Sequence, residues 1–167
     1  MTTIPESPLC KLCAGATRFR FERTVLGRHP ARYVECTHCG CLQIPETPWL
    51  AEAYARVSWA ADTGLVARNL QLACTIGAFL ERIVRPADPI VDYGGGSGLL
   101  TRLLRDMGWQ VYCHDAYHAP QFVHAFHIEA LDAVRPRVII ASEVFEHFPA
   151  PRESLESLLR AAPIVIF

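Results

Sequence analysis

The chain contains no apolar stretch approaching the roughly 20 residues that a membrane-spanning helix requires. Residues 1–8 lack the basic start and apolar core of a secretory signal. An excess of charge is also missing, since the formal net charge is −1 at pH 7. These absences argue against a membrane partner, against export and against nucleic acid bound by an overall basic surface. We therefore expect a cytoplasmic protein.

Global disorder is excluded by composition, because 51% of the 167 residues are hydrophobic. No internal repeat or low-complexity segment interrupts the chain. A chain of this length accommodates one ordinary domain, or a small module followed by a compact domain.

The cysteines favour the second arrangement, because four of the seven form two closely spaced pairs. Strand-like residues over 17–25 and 31–35 predict a β-ribbon that brings the pairs together. Four thiolates suit tetrahedral Zn²⁺, and a site with four protein ligands has no open position, so the predicted role is structural. His38 and Cys41 are alternative ligands that the paired spacing disfavours. The predicted ligands are Cys10, Cys13, Cys36 and Cys39.

The remaining cysteines carry no metal pattern. Cys74 and Cys113 lie within apolar patterns, which predicts that both are core residues.

From Trp49 the pattern becomes helical, with a longer helix predicted to end near Val84, before Pro86. From Pro89 predicted strands alternate with predicted helices, which is typical of parallel strands joined by crossover helices. The predicted strands cover 89–93, 110–114, 137–141 and 163–167, with a further short strand over 122–126.

A glycine-rich turn, Val-Asp-Tyr-Gly-Gly-Gly-Ser-Gly over residues 91–98, follows the first of these strands. Such a turn indicates a cofactor at the carboxyl end of the strand. The dinucleotide fingerprint requires a glycine where Leu99 stands. The carboxylate of Asp92 would repel a pyrophosphate and attract a ligand with an ammonium or sulfonium group. About 20 residues further on, Asp115 ends the next strand, where it can accept hydrogen bonds from a ribose.

At this point the chain resembles the class I S-adenosylmethionine-dependent methyltransferases. Residues 91–98 resemble their first motif, 111–115 their second, and 141–148 the segment after their fourth strand. The resemblance implies that Asp92 lies near the methionine amino group, that Asp115 holds the ribose, and that Ala116 and Tyr117 neighbour the adenine. The cofactor-binding residues so implied are Asp92, Gly94, Gly95, Gly96, Gly98, Asp115, Ala116, Tyr117 and Glu143.

The predicted fold is α/β, with a doubly wound, mostly parallel, Rossmann-like sheet of about five strands, preceded by a zinc ribbon and linking helices. The predicted domains are a zinc-binding module (1–47), a helical linker or cap (48–88) and a partial cofactor-binding domain (89–167). The family's sheet continues beyond its fifth strand, whereas this sequence ends at Phe167, so we expect a truncated domain or one that continues elsewhere. An apolar terminal strand with an open edge would favour homo-oligomers.

For catalysis we single out His147 and Glu146, since a methyl acceptor with an acidic proton requires a base and histidine is the side chain best suited to that role near neutral pH. A structural role for His147 is equally open, and the Glu-x-x-Glu-His spacing also resembles a divalent-metal site of certain methyltransferases. The N-terminal cysteines resemble the zinc module of bacterial methyltransferases, some of which methylate nucleotide-linked sugars. We therefore expect a methyltransferase for a small molecule such as a sugar or glycan precursor. The alternatives are an RNA methyltransferase, which the charge disfavours, and a non-catalytic cofactor-binding or interaction module.

Overall fold

The computed structural model describes residues 8–55 and 61–167, apart from the side chains of residues 54 and 55, and divides into two units. The first unit comprises Met1–Val57 with Pro149–Glu153, and the second comprises Ser58–Phe148 with Ser154–Phe167. The predicted helix from Trp49 is present as α1 (Leu50–Ala55), and its expected continuation over 56–60 lies outside the described residues.

The first unit is built on an antiparallel sheet in the order β1-β2-β3. Its strands are β1 (Thr17–Val25), β2 (His29–Cys36) and β3 (Leu42–Gln43). A tight turn joins β1 to β2, with positive φ at Leu26 (+51°) and Gly27 (+73°), a conformation that matches the twist of the strands. The register pairs Thr17 with Cys36, so the hairpin brings the two halves of the cysteine pattern together.

The second unit contains a four-stranded sheet in the order β5-β4-β6-β7, with every neighbouring pair parallel. The predicted parallel α/β arrangement is therefore confirmed. Its strands are β4 (Ile90–Tyr93), β5 (Val111–His114), β6 (Val138–Ile140) and β7 (Ile164–Ile166). Its helices are α2 (Leu65–Ile83), α3 (Leu99–Asp106) and, from Ser154 onward, α4 (Pro151–Ala161).

The further strand predicted over 122–126 is wrong, so the described sheet has four strands instead of about five. A 3-10 turn, His124–Phe126, occupies that position. The physical reason lies just upstream, where the backbone N–H groups of Gln121 and Phe122 both donate to the carbonyl of Ser97 instead of to a strand. Pro120, which has no N–H, precedes them.

Both faces of the parallel sheet are covered, as the alternation along each strand requires. On one face Ile90, Val138 and Ile140 join residues of α2 and α3, including Leu80 and Leu104, in one core cluster. On the other face Val91 and Ile139 pack with Leu158 and Ala162. Successive residues of β4 thus point to opposite cores, which places Asp92 on the side of α3.

The two cysteines predicted as core residues behave differently. Cys113 is fully buried in β5, and burial raises the pKa of its thiol to about 12. Cys74 is exposed on α2, so that prediction is wrong. The apolar stripe of α2 passes through its neighbour Ala73, and the next position along the helix already faces water.

Among the described helices, none combines the length and the apolar character that crossing a bilayer would demand.

Candidate active site and candidate metal centre

The predicted zinc ligands form one cluster in the first unit. The Sγ atoms of Cys10, Cys13, Cys36 and Cys39 all lie within 4.8 Å of one another. The Sγ–Sγ distance is 3.7 Å for Cys10 and Cys39 and 3.5 Å for Cys13 and Cys36, too long for a disulfide bond. Zn–S bonds of about 2.3 Å in a tetrahedron place sulfur atoms about 3.8 Å apart, so the cluster fits this ion.

The two cysteine knuckles have the same construction, although only the cysteines themselves repeat in sequence. In the first, the N–H of Ala14 donates to the carbonyl of Cys10, and the N–H of Cys10 donates to the carbonyl of Gly15. In the second, the N–H of Gly40 donates to the carbonyl of Cys36, and the N–H of Cys36 donates to the carbonyl of Cys41. Positive φ values at Ala14 (+57°) and Gly40 (+74°) close the turns. Cys41 thus serves the knuckle through its backbone and stays outside the four-sulfur cluster.

Backbone amides prepare the cluster for a cation. The N–H groups of Cys39 and His38 each donate to the Sγ of Cys36 at 3.4 Å, and these bonds lower the pKa of Cys36 to about 6. The amide of Gly15 likewise favours the thiolate of Cys13, but the neighbouring cysteine side chains outweigh it and raise that pKa to about 12. Several thiolates cannot coexist at this spacing without a positive ion, which is the condition that zinc satisfies.

Gly15 shows how closely the knuckles pack. A Cβ at this position would lie 3.1 Å from the Cβ of His38 and 3.2 Å from the Sγ of Cys36. A side chain would push the second knuckle away from the first, so the glycine belongs to the metal centre although it is no ligand.

In the second unit the three sequence motifs meet at the carboxyl edge of the parallel sheet. The N–H groups of Gly94 and Gly95 donate to the carbonyl of His114, at 2.7 and 3.3 Å. The N–H of Gly96 donates to Oδ2 of Asp115 at 2.9 Å. From the loop after β6, Val144 approaches so closely that a Cβ on Gly94 would lie 2.8 Å from its Cγ2.

Backbone geometry and packing account for the glycines of this loop. Gly94, Gly96 and Gly98 have φ values of +72°, +54° and +78°, in the region that favours glycine. At Gly95 a Cβ would lie 2.7 Å from the Sγ of Cys113 and 2.9 Å from Oδ2 of Asp92. The loop requires glycines for its own packing, so the case for a charged ligand depends on the acids.

Asp92 is the buried acid of the site, with 3% of its surface exposed. Its Oδ2 accepts a hydrogen bond of 2.8 Å from Oγ1 of Thr101 in α3. Burial raises the pKa of Asp92 to about 6, the bonds from Thr101 oppose this shift, and the charge of Asp115 adds to it. The carboxylate therefore supports the loop from beneath and supplies negative potential to the edge above.

Asp115 organises the loop after β5. Its Oδ1 accepts from the N–H groups of Tyr117 and His118, each at 2.8 Å, while among the described residues Oδ2 accepts only from the N–H of Gly96. A carboxylate oxygen can accept two hydrogen bonds, so Oδ2 keeps capacity for a ligand hydroxyl. Within the described part of the chain no lysine or arginine forms an ion pair with either acid; His118 Nδ1 lies 3.5 Å from Asp115.

The remaining predicted residues lie in the adjoining loops. Ala116 and Tyr117 are exposed directly after Asp115. Glu146 and His147 are exposed on a 3-10 turn, Phe145–His147. The roles predicted for all of these residues stay predictions.

Glu143 has an unusual backbone. Its φ is +55°, in the left-handed region. This conformation is unfavourable for any residue other than glycine, and residues that adopt it cluster at functional sites. Glu143 also interacts electrostatically with Arg68 in α2. The pKa of Arg68 is raised mainly by its hydrogen bond with Asp62, and the negative charge of Glu143 raises it further.

Sequence reasoning missed the residues that fit the motifs together. Thr101 holds Asp92, Val144 packs on Gly94, and Pro120 with Val123 packs against the Cα of Gly98. Thr101, Pro120 and Val123 lie outside the three motif segments, Val144 lies within the third of them, and the contacts arise only when the strands are aligned. The predicted cofactor-binding and catalytic residues lie at the carboxyl edge of the parallel sheet, whereas the predicted metal ligands lie in the first unit.

A polar groove of about 560 Å³ lies elsewhere, at the amino edge of the same sheet. Its lining residues include Arg82 from the last turn of α2, Arg85 and Asp88 from the segment between α2 and β4, and Arg137 before β6. It is separate from the motif-bearing edge, and we assign no cofactor to it.

A parallel sheet whose carboxyl edge carries a glycine loop and two acids defines an α/β domain of Rossmann-like type. Residues 66–163, more than half of the chain, match the family described as "Methyltransferase domain". The chain therefore belongs to this family of methyltransferase domains, which confirms the prediction of a methyltransferase. A comparison with curated proteins found no match.

The metal centre can be tested by removing one ligand. We expect about one zinc per purified chain, and near-complete loss of the metal in Cys36→Ser, because three thiolates bind it far more weakly. Elemental analysis measures this directly. Cys74→Ser, which changes an exposed cysteine outside the cluster, is the matched control and should keep its zinc. Full zinc content in Cys36→Ser would show that the cluster is not the site.

The burial of Asp92 predicts an unusual pH dependence of stability. Its pKa rises from 3.8 to about 6, so between these values the native state binds more protons than the unfolded state, and stability falls as pH rises through this window. Asp92→Asn removes the buried charge. We expect its free energy of unfolding at pH 7 to exceed that of the wild type by about 2 kcal/mol, with the difference shrinking below about pH 4. Urea denaturation across this range measures it, with exposed Asp132→Asn as control; parallel profiles for Asp92→Asn and wild type would contradict the prediction.

The strained backbone of Glu143 predicts a difference between two variants. Glu143→Gly relieves the positive φ whereas Glu143→Ala retains it, so the glycine variant should be more stable by about 1 kcal/mol. Chemical denaturation compares them. Glu146→Gly, at a position without positive φ, should instead lower stability. Equal stability of Glu143→Gly and Glu143→Ala would show that the positive φ of residue 143 costs no measurable free energy.

Proposed function

We propose that the chain is a class I S-adenosylmethionine-dependent methyltransferase that binds its cofactor at the carboxyl edge of the parallel sheet. The observation that carries this proposal is the hydrogen bond from Gly96 to Asp115. It joins the glycine loop to the acid after the neighbouring strand and leaves acceptor capacity on Oδ2 beside the loop.

The chemistry of the residues fits this cofactor. Asp92 and Asp115 give the edge a negative potential that no lysine or arginine of the described residues neutralises through an ion pair. Such a potential attracts a cationic ligand and repels a diphosphate. When bound, S-adenosylmethionine supplies a methyl group activated by a positively charged sulfur.

Each predicted cofactor residue has a role in this proposal. Asp115 accepts from the ribose hydroxyls, and exposed Ala116 and Tyr117 border the adenine. Asp92 acts on the methionine amino group through its charge, since its carboxylate is buried below Gly95. Gly94 and Gly96 line the methionine portion, Gly95 and Gly98 shape the loop that carries them, and Glu143 closes the edge from the loop after β6.

For the transfer itself we propose that His147, with Glu146 beside it, removes a proton from the acceptor. Both side chains are exposed on the 3-10 turn after β6, at the same edge as the cofactor residues. A base of this kind is needed when the acceptor is a hydroxyl or an acidic carbon. A small molecule, such as a sugar or glycan precursor, suits this chemistry.

The finer expectations complete the proposal. Zinc is a structural ion in the first unit, since all four positions of a tetrahedron are taken by cysteines. A cytoplasmic location agrees with cysteines that form no disulfide. The domain boundaries at residues 47 and 88 and association through β7 stay predictions.

The decisive experiment is calorimetric titration of the full chain with S-adenosylmethionine and with S-adenosylhomocysteine, whose sulfur is neutral. Because Asp92 ionises near pH 6, affinity for the cationic cofactor should increase between pH 5 and 7 more than affinity for the neutral product. Asp115→Ala should weaken both ligands by about tenfold or more, the loss of a hydrogen-bonded charge.

Two controls make this result specific. Asp132→Ala, an exposed aspartate outside the edge, should leave both affinities unchanged. If a dinucleotide diphosphate binds instead, or if Asp115→Ala binds S-adenosylmethionine as the wild type does, the proposed cofactor site is wrong.

A further inference from the structure

The polar groove at the amino edge of the parallel sheet has no part in the site proposed above. It belongs entirely to the second unit and has a volume of about 560 Å³. We call it the arginine groove. Its charged lining residues are Arg82, Arg85, Arg137, Glu81 and Asp88.

The three arginines of this groove have no carboxylate partner. Arg82, Arg85 and Arg137 are all exposed, and within the described part of the chain none of them forms an ion pair. Elsewhere in the same unit, Arg68 and Arg102 each pair with an aspartate. Because a guanidinium stays protonated at any ordinary pH, three unneutralised positive charges line one groove.

Backbone hydrogen bonds fix the segments that carry these arginines. The N–H of Arg137 donates to the carbonyl of Pro89 at 2.7 Å, which joins the segments that lead into β6 and β4. After α2 the chain makes a closed turn, in which the N–H of Arg85 donates to Oδ2 of Asp88 at 2.9 Å and the N–H of Asp88 donates to the carbonyl of Arg85 at 3.0 Å. Arg82 lies in the last turn of α2. The three charges therefore belong to a helix end, a closed turn and a strand start, and not to one free loop.

Two acids reduce the positive charge of the groove without cancelling it. Asp88 bonds to the backbone of its own turn and pairs with no guanidinium, and Glu81 is exposed. Three arginines and two acids leave the lining with a formal charge of +1, whereas the whole chain carries −1. An anion is therefore attracted to the groove, and Glu81 opposes that attraction.

We propose that the arginine groove binds a small molecule that carries a phosphate group. The fork of a guanidinium matches two phosphate oxygens, and a phosphate monoester carries close to two negative charges at pH 7. The groove also has room for more than a phosphate, since sites for small molecules measure about 300–1,000 Å³. Ile83 and Val84, partly buried against the core, line it as well and offer apolar contacts to the rest of such a ligand. This site lies at the edge opposite the glycine loop, so the proposal does not depend on the cofactor or on methyl transfer.

The test is a titration of the ¹⁵N-labelled full chain with phenyl phosphate at about 50 mM salt, where screening is weak. Nuclear magnetic resonance follows the Nε–H signals of the arginines, and those of Arg82, Arg85 and Arg137 should shift with one common dissociation constant. Arg82→Gln and Arg137→Gln should each weaken binding by about fivefold, the effect of one unit charge near a surface. Glu81→Gln removes the opposing charge and should strengthen binding by about twofold or more.

Matched controls separate this site from general attraction of anions. Arg160→Gln removes the same charge from an exposed position of α4 and should bind phenyl phosphate as the wild type does. Benzoate, which has the same ring but one negative charge, should bind about fivefold more weakly. Zinc content should stay constant through the titration.

Three results would overturn the proposal. The first is the absence of any shift at the three arginines. The second is a set of shifts confined to the backbone N–H groups of residues 94–98, which would place the phosphate at the glycine loop. The third is equal binding of benzoate and phenyl phosphate, which would show that the groove does not recognise phosphate.

Discussion

The carboxylate of Asp92 is buried between β4 and α3, with the glycine loop directly above it, and this burial constrains the whole carboxyl edge of the sheet. Thr101 holds the acid from the helix, so strand, loop and helix are fixed to one another. No side chain fits at Gly95, because its Cβ would meet Asp92 and Cys113. A charge kept in such a place costs free energy, and its raised pKa expresses that cost. This unfavourable burial would be offset on binding if the ligand above the carboxylate is a cation.

Asp115 complements Asp92 in a different way. It accepts hydrogen bonds from three backbone N–H groups, one of them from the glycine loop. One acid is therefore buried with few partners, and the other is bonded where a ligand can approach. Closely spaced acidic groups are also found in the first unit, where four cysteine sulfurs lie together and backbone N–H groups donate to the Sγ of Cys36. Each unit therefore concentrates negatively charged groups at one place.

Much of this organisation could be predicted from local sequence. The cysteine spacing indicated a four-sulfur cluster, and the hydrophobic pattern placed β4, β5, β6 and β7 within a residue or two of their observed bounds. Where prediction failed, a tertiary contact had replaced a local preference. The segment at 122–126 has strand-like residues, but its neighbours bond to Ser97 and turn it into a 3-10 helix. Cys74 lies in an apolar pattern, but it is one position past the face of α2 that is buried.

The sequence by itself determined which residues carry chemistry: the cysteine pairs, the acids at two strand ends and the glycines between strand and helix. These are local properties, since spacing along a strand or a knuckle is fixed by backbone geometry. Only the tertiary structure decided what those residues face. The bond between Thr101 and Asp92, the contact of Val144 with Gly94 and the three arginines of the groove at the amino edge arise from alignment of distant segments. Such alignment follows from packing of the whole fold, which no local pattern encodes.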